Sequence, residues 1–159
     1  MMNTQTHIRT AVYNDIPTIM RLAEKEYNSF EQTTPFDPVL TEQYIMTIIN
    51  DPSAVFIVVT NNLGEPFGFM TGNLDHIDLS TEPSAVSGHW FVDNPGNTYG
   101  NKNYGLQLIS SFEGWARHKG AKKTMIGLRM DPGTRRAYDR TFNQFGYRPN
   151  YVYYTKDTK

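Results

Sequence analysis

Apolar residues recur along the chain at two spacings, which divide it into alternating strands and helices. Residues 7–12 predict a short first strand. Asn14-Asp15-Ile16-Pro17 predicts a helix start, because a carboxylate can cap a helix and proline fits its first turn. Apolar side chains then recur on one helix face: Ile16, Ile19, Met20, Ala23, Tyr27 and Phe30. A strand and an amphipathic helix therefore come first.

A second helix is predicted to begin at Thr41, since Pro35 and Pro38 interrupt the helical pattern before it. The motif Asn50-Asp51-Pro52 ends this helix, because the residue before a proline avoids helical geometry. Its apolar face consists of Tyr44, Ile45, Ile48 and Ile49.

Three strands are predicted in the middle of the chain. Residues 54–60 are a run of β-branched and aromatic side chains, and residues 66–74 form a second run after the turn signal Asn61-Asn62-Leu63-Gly64. These two runs predict an antiparallel hairpin. Residues 86–93 supply the next strand.

A helix between two strands is predicted next. Its apolar face contains Leu108, Ile109, Phe112, Trp115 and Ala116, and Gly120 follows as its stop signal. Residues 124–130 predict the strand after it. Because a crossover helix joins parallel neighbours, we expect this strand to be parallel to strand 86–93.

The C-terminal region predicts one more helix and one more strand. Residues 131–134 start the helix, in which Tyr138, Phe142 and Phe145 share a face, and residues 151–155 form the strand. The complete order of elements predicts an α+β fold. The aromatic last strand can pack internally or pair with a second subunit in a homodimer.

Composition limits the classes of function. The 159 residues carry 15 basic and 16 acidic side chains, so no polycationic surface for nucleic acid or lipid is indicated. Cysteine is absent, the four histidines lack metal-ligand spacing, and no apolar run approaches the roughly 20 residues that cross a bilayer. We expect one cytoplasmic domain, residues 1–159, without a metal, a membrane or a nucleic-acid partner.

The glycine- and asparagine-rich loop before the third helix is a candidate anion site. It reads Gly96-Asn97-Thr98-Tyr99-Gly100-Asn101-Lys102-Asn103-Tyr104-Gly105 and leads directly into the helix. Backbone N–H groups at a helix N-terminus are unpaired and lie at the positive end of the helix dipole. This arrangement suits a phosphate. Lys102 can add a charged contact or can be a solvated loop residue.

Several segments in this order resemble the GNAT superfamily of acyl-CoA-dependent N-acyltransferases. The resemblance covers nearly the whole chain and rests on Ile8-Arg9 with Asp15-Ile16-Pro17, on Glu65-Pro66-Phe67-Gly68-Phe69, on Phe91-Val92-Asp93 with Gly105-Leu106-Gln107-Leu108-Ile109, on residues 115–123, and on Phe145-Gly146-Tyr147-Arg148-Pro149. It implies one GNAT-like domain with a mixed, mostly antiparallel sheet, a parallel strand pair at the cofactor site, and helices on both faces. The chain is identified as a divergent member, since only Gly105 keeps the glycine pattern of the family's loop.

The resemblance implies that acetyl-CoA is the co-substrate. The backbone from Phe91 through Val92 to Asp93 would hold the pantetheine arm. The pyrophosphate would bind the loop residues Gly100, Asn101, Lys102, Asn103, Tyr104, Gly105 and Leu106.

The same resemblance suggests catalytic residues. Many members place a tyrosine on the last helix to protonate the departing thiolate, but Phe142 occupies that position. Tyr138, one turn earlier, can serve instead or can pack in the core. His89 is a candidate general base, because an ordinary histidine pKa of about 6.5 suits proton transfer near neutrality, although it can equally be structural.

The acceptor site implied by the resemblance lies near the first helix. Glu26 and Tyr27 are the candidate substrate-binding residues, with Glu24 and Glu31 nearby, although carboxylates on a helix can simply be its solvated face. The predicted function is transfer of an acetyl group to a primary amine of a small molecule or peptide by direct attack. The alternative is an inactive GNAT-fold protein that binds CoA or serves as a structural or interaction module.

Overall fold

A computed structural model describes residues 6–30, 32–129, 135–150 and 156. The chain divides into two compact units, Met1–Gly127 and Leu128–Lys159. The first unit contains a five-stranded sheet in the order β1-β2-β3-β4-β5. Its strands are β1 His7–Thr10, β2 Ala54–Thr60, β3 Pro66–Asp75, β4 Ser84–Val92 and β5 Lys123–Met125. Strands β1 to β4 pair antiparallel, whereas β4 and β5 are parallel, as the crossover predicts.

Three helices belong to the first unit: α1 Ile16–Asn28, α2 Pro38–Asn50 and α3 Tyr104–His118. Phe69 of β3 packs in a core cluster with residues of α1 and α2. Gly72 of the same strand lies against Phe112 of α3, and residues three apart point to opposite faces of a strand. The helices therefore cover both faces of the sheet, and the predicted α+β class is confirmed.

The interior strand β2, between β1 and β3, is buried along its whole length, as its run of β-branched residues predicts. Residues 54–60 were predicted as a strand with the bounds that the structure has. The core around it on the α1 and α2 face consists of Ala11, Ile16, Ile19, Leu22, Ile45, Phe56, Val58 and Phe69.

Helix α2 begins three positions before the predicted start at Thr41. Pro38 is its first residue, where proline loses no intrahelical hydrogen bond, and Asp37 caps it by accepting the Leu40 N–H at 3.0 Å. Reading Pro38 as a breaker was therefore wrong.

Asp15 precedes α1 as predicted, but its carboxylate does not cap that helix. Its Oδ2 instead accepts from the Val12 N–H at 2.9 Å and from Arg9 at 2.6 Å. A short 3-10 turn, Tyr13–Asp15, joins β1 to α1. Asp15 thus ties the first strand to the first helix.

The region after α3 agrees only partly with the sequence-based expectation. Strand β5 covers Lys123–Met125, whereas residues 126–129 are not strand, so the predicted strand 124–130 is too long. In the second unit, α4 spans Arg135–Gln144. The predicted last strand, residues 151–155, lies outside the described residues. None of the helices in the described part of the chain is long and apolar enough to cross a bilayer.

Candidate functional site

Strands β4 and β5 pair over only three residues and then separate. Their parallel pairing joins Ser84, Ala85 and Val86 to β5, which then ends at Met125. One further contact follows, in which the Gly127 N–H donates to Ser87 Oγ at 2.8 Å. Beyond Ser87, no described strand pairs with β4 on this side. Among the residues that the structure describes, the second half of β4 therefore has an open edge.

A β-bulge lies where this open edge begins. Met70 of β3 pairs with Trp90 and Gly72 pairs with Ser87, so the single residue Thr71 faces two residues of β4, Gly88 and His89. A bulge of this kind bends its strand and increases the local twist. It therefore separates the open half of β4 from the half that is paired with β5.

The backbone of the open half presents alternate residues to the two sides. The Asp93 N–H donates to Phe67 O at 2.8 Å, which directs the backbone of Asp93 toward β3. Hydrogen-bonding directions alternate along an antiparallel pair, so Phe91 also faces β3, while Trp90 and Val92 face the open edge. Of the three residues predicted to hold the pantetheine arm, only Val92 thus offers its backbone groups there.

The loop after β4 is held by its own side chains. Asn94 donates from Nδ2 to Gly100 O at 3.1 Å and accepts the Tyr99 N–H at 2.9 Å. The Tyr99 ring stacks on Phe67 with centroids 4.2 Å apart, and the buried Tyr104 donates its hydroxyl to Tyr99 O. These contacts position the loop at the start of α3.

The N-terminus of α3 uses some of its N–H groups internally. Asn103 caps the helix by accepting the Leu106 N–H at 3.0 Å, and the Tyr104 N–H donates to Lys102 O. Gly100, which has a φ of 102°, donates its N–H to Asn97 O. These contacts occupy the N–H groups of three predicted loop residues, Gly100, Tyr104 and Leu106.

Four predicted loop residues donate no N–H to any other described residue. Among the hydrogen bonds of the described residues, none uses the N–H of Asn101, Lys102, Asn103 or Gly105. Asn101, Lys102 and Asn103 are exposed, and Gly105 is half-buried. A cluster of outward N–H groups at the positive end of a helix dipole can bind an anion.

Gly105 also allows the start of α3 to approach β4 closely. A Cβ at this position would lie 2.7 Å from the indole of Trp90. The glycine is therefore required by packing as well as by the phosphate-binding hypothesis. A substitution at Gly105 perturbs both features at once.

Two predicted site residues on different elements meet beside the bulge. His89 Nδ1 lies 3.1 Å from Glu26 Oε1 of α1. The Tyr44 ring of α2 stands edge-on to the His89 ring at a centroid distance of 5.8 Å. The Glu26 side chain is only 18% exposed, so its carboxylate acts in a partly desolvated environment. A carboxylate, an imidazole and a phenol thus share one surface next to the open edge.

The neighbours of Glu26 on α1 have structural contacts. Lys25 Nζ pairs with Asp93 Oδ2 at 2.5 Å, which ties α1 to the end of β4. Tyr27 donates its hydroxyl to Thr34 O and packs its ring against Phe36 at 5.5 Å. Glu24 is exposed, and Glu31 lies outside the described residues.

Tyr138, the other predicted catalytic residue, lies on α4 in the second unit. There it is half-buried, and its ring centroid lies 6.5 Å from that of Phe142. Phe142 in turn packs edge-on against Tyr147 at 5.4 Å. Within this unit, Tyr138 takes part in a small aromatic cluster.

The ion pair between Arg9 and Asp15 has a structural role in the first unit. Arg9 binds Asp15 through two hydrogen bonds of 2.6 and 2.9 Å. Burial raises the pKa of Asp15, but the hydrogen bonds from Arg9 and the Val12 N–H together with the Arg9 charge outweigh it, so the pKa is lowered.

No group of three or more metal-ligating side chains occurs among the described residues.

Sequence reasoning missed several residues that shape the site. Thr71, Tyr44, Trp90 and Asn94 were not predicted as site residues, because their roles depend on cross-strand register and on contacts between distant elements. Gly88, beside His89 in a strand, was an available signal, because glycine within a strand often marks a bulge.

The fold is shared with acetyltransferases of known structure. An aminoglycoside acetyltransferase from an uncultured soil metagenomic sample, in complex with sisomicin, has 17% identity and a TM-score of 0.68, with 97% of each chain covered. The aminoglycoside N-acetyltransferase AAC(6')-Iy in complex with CoA has 14% identity and a TM-score of 0.73, with 98% of this chain and 97% of that chain covered. A GNAT family acetyltransferase from Staphylococcus aureus has 11% identity and a TM-score of 0.67, with 96% and 98% covered.

These similarities define the class of fold. The chain has the fold of the GNAT acetyltransferases, as the resemblance in its sequence predicts. No protein-family model matches the sequence, and no curated protein matches it.

Proposed function

We propose that this chain is a GNAT acetyltransferase that transfers an acetyl group from acetyl-CoA to a primary amine of a small molecule or peptide. One observation carries the proposal: available N–H groups at the start of α3 lie just after the open edge of β4 in the chain. They belong to Asn101, Lys102, Asn103 and Gly105. The diphosphate of acetyl-CoA requires N–H groups such as those at the start of α3. Its extended, amide-bearing pantetheine arm requires a strand edge such as that of β4. In this proposal the 159 residues act as one domain.

The open edge suits the pantetheine arm of the co-substrate. Trp90 and Val92 can exchange hydrogen bonds with its amides as a neighbouring strand would, because their backbone groups face away from β3. The diphosphate would accept the N–H groups of the loop, and Lys102 would add a charge-assisted contact. Acetyl-CoA supplies the acetyl group as an activated thioester.

The surface beside the bulge suits the amine acceptor. Glu26 would attract the ammonium form of the amine, and His89 would accept its proton before the nitrogen attacks the thioester carbonyl. The 3.1 Å contact between Glu26 and His89 Nδ1 orients the imidazole. Tyr27, whose hydroxyl is engaged by Thr34, would contribute through its ring. Attack forms the C–N bond, and the C–S bond then breaks to release the thiolate.

Tyr138 is the proposed proton donor to the departing thiolate, because Phe142 has no hydroxyl. The alternative, a CoA-binding protein without turnover, is favoured by this same phenylalanine. A Tyr138→Phe variant distinguishes the roles: proton donation requires the hydroxyl, whereas packing in the aromatic cluster requires only the ring.

The proposal is tested first by isothermal titration calorimetry with acetyl-CoA. Saturable binding is expected, and absence of heat at millimolar concentration contradicts the proposal. Turnover is then measured by thiol release with polyamines, amino acids, peptide N-termini and aminoglycosides. Aminoglycosides belong in the panel because one acetyltransferase of similar fold has been solved with sisomicin bound. Binding without turnover on any amine supports the inactive alternative.

A further inference from the structure

We propose that Thr71 is a positioning residue whose buried hydroxyl holds the β4 bulge and thereby sets the place of His89. Thr71 belongs to β3 and touches neither proposed substrate. Its consequence for catalysis rests on the proposed function, whereas its effect on the bulge does not. The proposal adds a residue that neither the sequence pattern nor the fold comparison assigns.

The hydroxyl of Thr71 binds both backbone groups of His89. Its Oγ1 accepts the His89 N–H at 2.9 Å and donates to His89 O at 3.4 Å. At a bulge two residues of one strand face a single residue of the other, so the regular ladder of hydrogen bonds is interrupted and a side chain can serve as a partner for the backbone there. Thr71 is 1% exposed and supplies that partner from inside the sheet.

The same hydroxyl joins α2 to the bulge. Tyr44 Oη lies 3.2 Å from Thr71 Oγ1 and can donate to its remaining lone pair. One donor and two lone pairs of the hydroxyl are then all in use. The phenol of α2, the hydroxyl of β3 and the backbone of β4 therefore form one connected group.

Gly88 is required by this arrangement. A Cβ on Gly88 would clash with Thr71 Oγ1 and would lie 3.0 Å from Tyr44 Oη. The hydroxyl can reach the backbone of His89 only because Gly88 carries no side chain. The bulge is thus specified by a threonine and a glycine on adjacent strands.

The bulge determines where the imidazole stands. His89 follows the extra residue immediately, and its Nδ1 contacts Glu26 of α1. Loss of the hydroxyl would let β4 relax toward regular pairing, and a shift of one register position turns a side chain to the other face. Displacement of a catalytic group by about 1 Å can cost roughly 100-fold in rate.

The experiment compares Thr71→Val, Thr71→Ser and Thr60→Val. Serine keeps the hydroxyl, and valine removes it. Thr60→Val is the matched control, because Thr60 is equally buried at 1% and its hydroxyl binds His7 O, away from the bulge. The first measurement is amide hydrogen exchange of His89 by NMR, which does not depend on enzymatic activity. We expect exchange roughly tenfold faster in Thr71→Val alone.

The second measurement separates turnover from cofactor binding. With the best amine of the panel, Thr71→Val should lower kcat by about 10- to 100-fold while acetyl-CoA affinity stays near that of the unaltered protein. Thr71→Ser should restore kcat. If the unaltered protein lacks turnover, the proposed function fails, and amide exchange still tests whether the Thr71 hydroxyl binds the backbone of His89.

Three results would overturn the proposal. They are an unprotected His89 amide in the unaltered protein, equal losses in Thr71→Ser and Thr71→Val, or an equal effect of Thr60→Val. If Thr71→Val does not fold, Tyr44→Phe serves instead, because Tyr44 is partly exposed on α2. This variant should measurably accelerate exchange of the His89 amide, and unchanged exchange contradicts the proposal.

Discussion

Helices α2 and α3 begin with nearly the same geometry but with opposite chemical consequences. In α2 the cap Asp37 accepts the Leu40 N–H at 3.0 Å, and in α3 the cap Asn103 accepts the Leu106 N–H at 3.0 Å. The cap of α2 is charged and is followed by a proline without an N–H. The cap of α3 is neutral and follows a loop with available N–H groups.

The difference teaches that the charge of the cap residue affects whether a helix start can receive an anion. A carboxylate at the cap offsets the positive end of the dipole, whereas an amide leaves the field available. Asn103 therefore does at α3 what Asp37 does at α2, without the negative charge that would repel a diphosphate.

Adding a negative charge at the cap of α3 should have the largest effect on acetyl-CoA binding. Asn103→Asp keeps the cap acceptor but should weaken acetyl-CoA binding by about 2 kcal/mol, roughly 30-fold, through repulsion of the diphosphate. Calorimetry measures the affinity, and thermal unfolding should show no loss of stability. The matched control Asn62→Asp adds the same charge at an exposed turn. An equal loss in both variants would attribute the effect to net charge.

The start of α1 differs from both of these helix starts. Its cap residue Asp15 binds Arg9 and does not cap the helix through its side chain. Asp15→Asn should destabilise the protein by about 1.5 kcal/mol without changing acetyl-CoA affinity, since it breaks a partly exposed ion pair. Because the pKa of Asp15 is lowered in the folded state, its contribution is present at neutral pH and is lost as the pH falls below about 4.

Unfolding in denaturant at several pH values measures this contribution. The free energies of unfolding of the unaltered protein and of Asp15→Asn should become equal in acid. A difference that persists in acid contradicts the stabilising role given to the charged form of Asp15. Arg9→Lys keeps the charge but loses the two-bond geometry, so its stability should lie between those of the two proteins.

The smallest expected effect comes from the side chain in the loop. Lys102→Ala should weaken acetyl-CoA binding by about 1 kcal/mol, roughly fivefold, and should lessen its salt dependence. Lys119→Ala, at the opposite end of α3, is the control and should bind normally. Equal acetyl-CoA affinities of the two variants would contradict a contact from Lys102. The backbone N–H groups would then be the remaining candidates for binding the diphosphate.

Local patterns predicted much of the fold. The continuous apolar run of β2 identified its bounds, and the crossover rule predicted that β4 and β5 are parallel. The start of α2 was missed because a proline that begins a helix has the same identity as one that breaks it. The resemblance implied a free backbone at residues 91–93, but the length of the pairing between β4 and β5 could not be predicted from periodicity, because the apolar pattern continues beyond the end of β5 at Met125.

The candidate site was predicted as separate residues. Glu26 and His89 were both singled out, yet they are 63 positions apart and their 3.1 Å contact depends on α1 crossing the end of β4. Thr71 gave no signal at all, because a buried threonine in a strand has the same pattern whether or not it faces a bulge.

By itself the sequence determined the order of the described elements and the class of fold, and it indicated a candidate anion-binding loop, because periodicity, turn residues and caps act over a few neighbouring positions. Only the tertiary structure decided which loop N–H groups are used internally, which backbone atoms of β4 face the open edge, and that one threonine hydroxyl binds the bulge. These features depend on register and on contacts between distant residues.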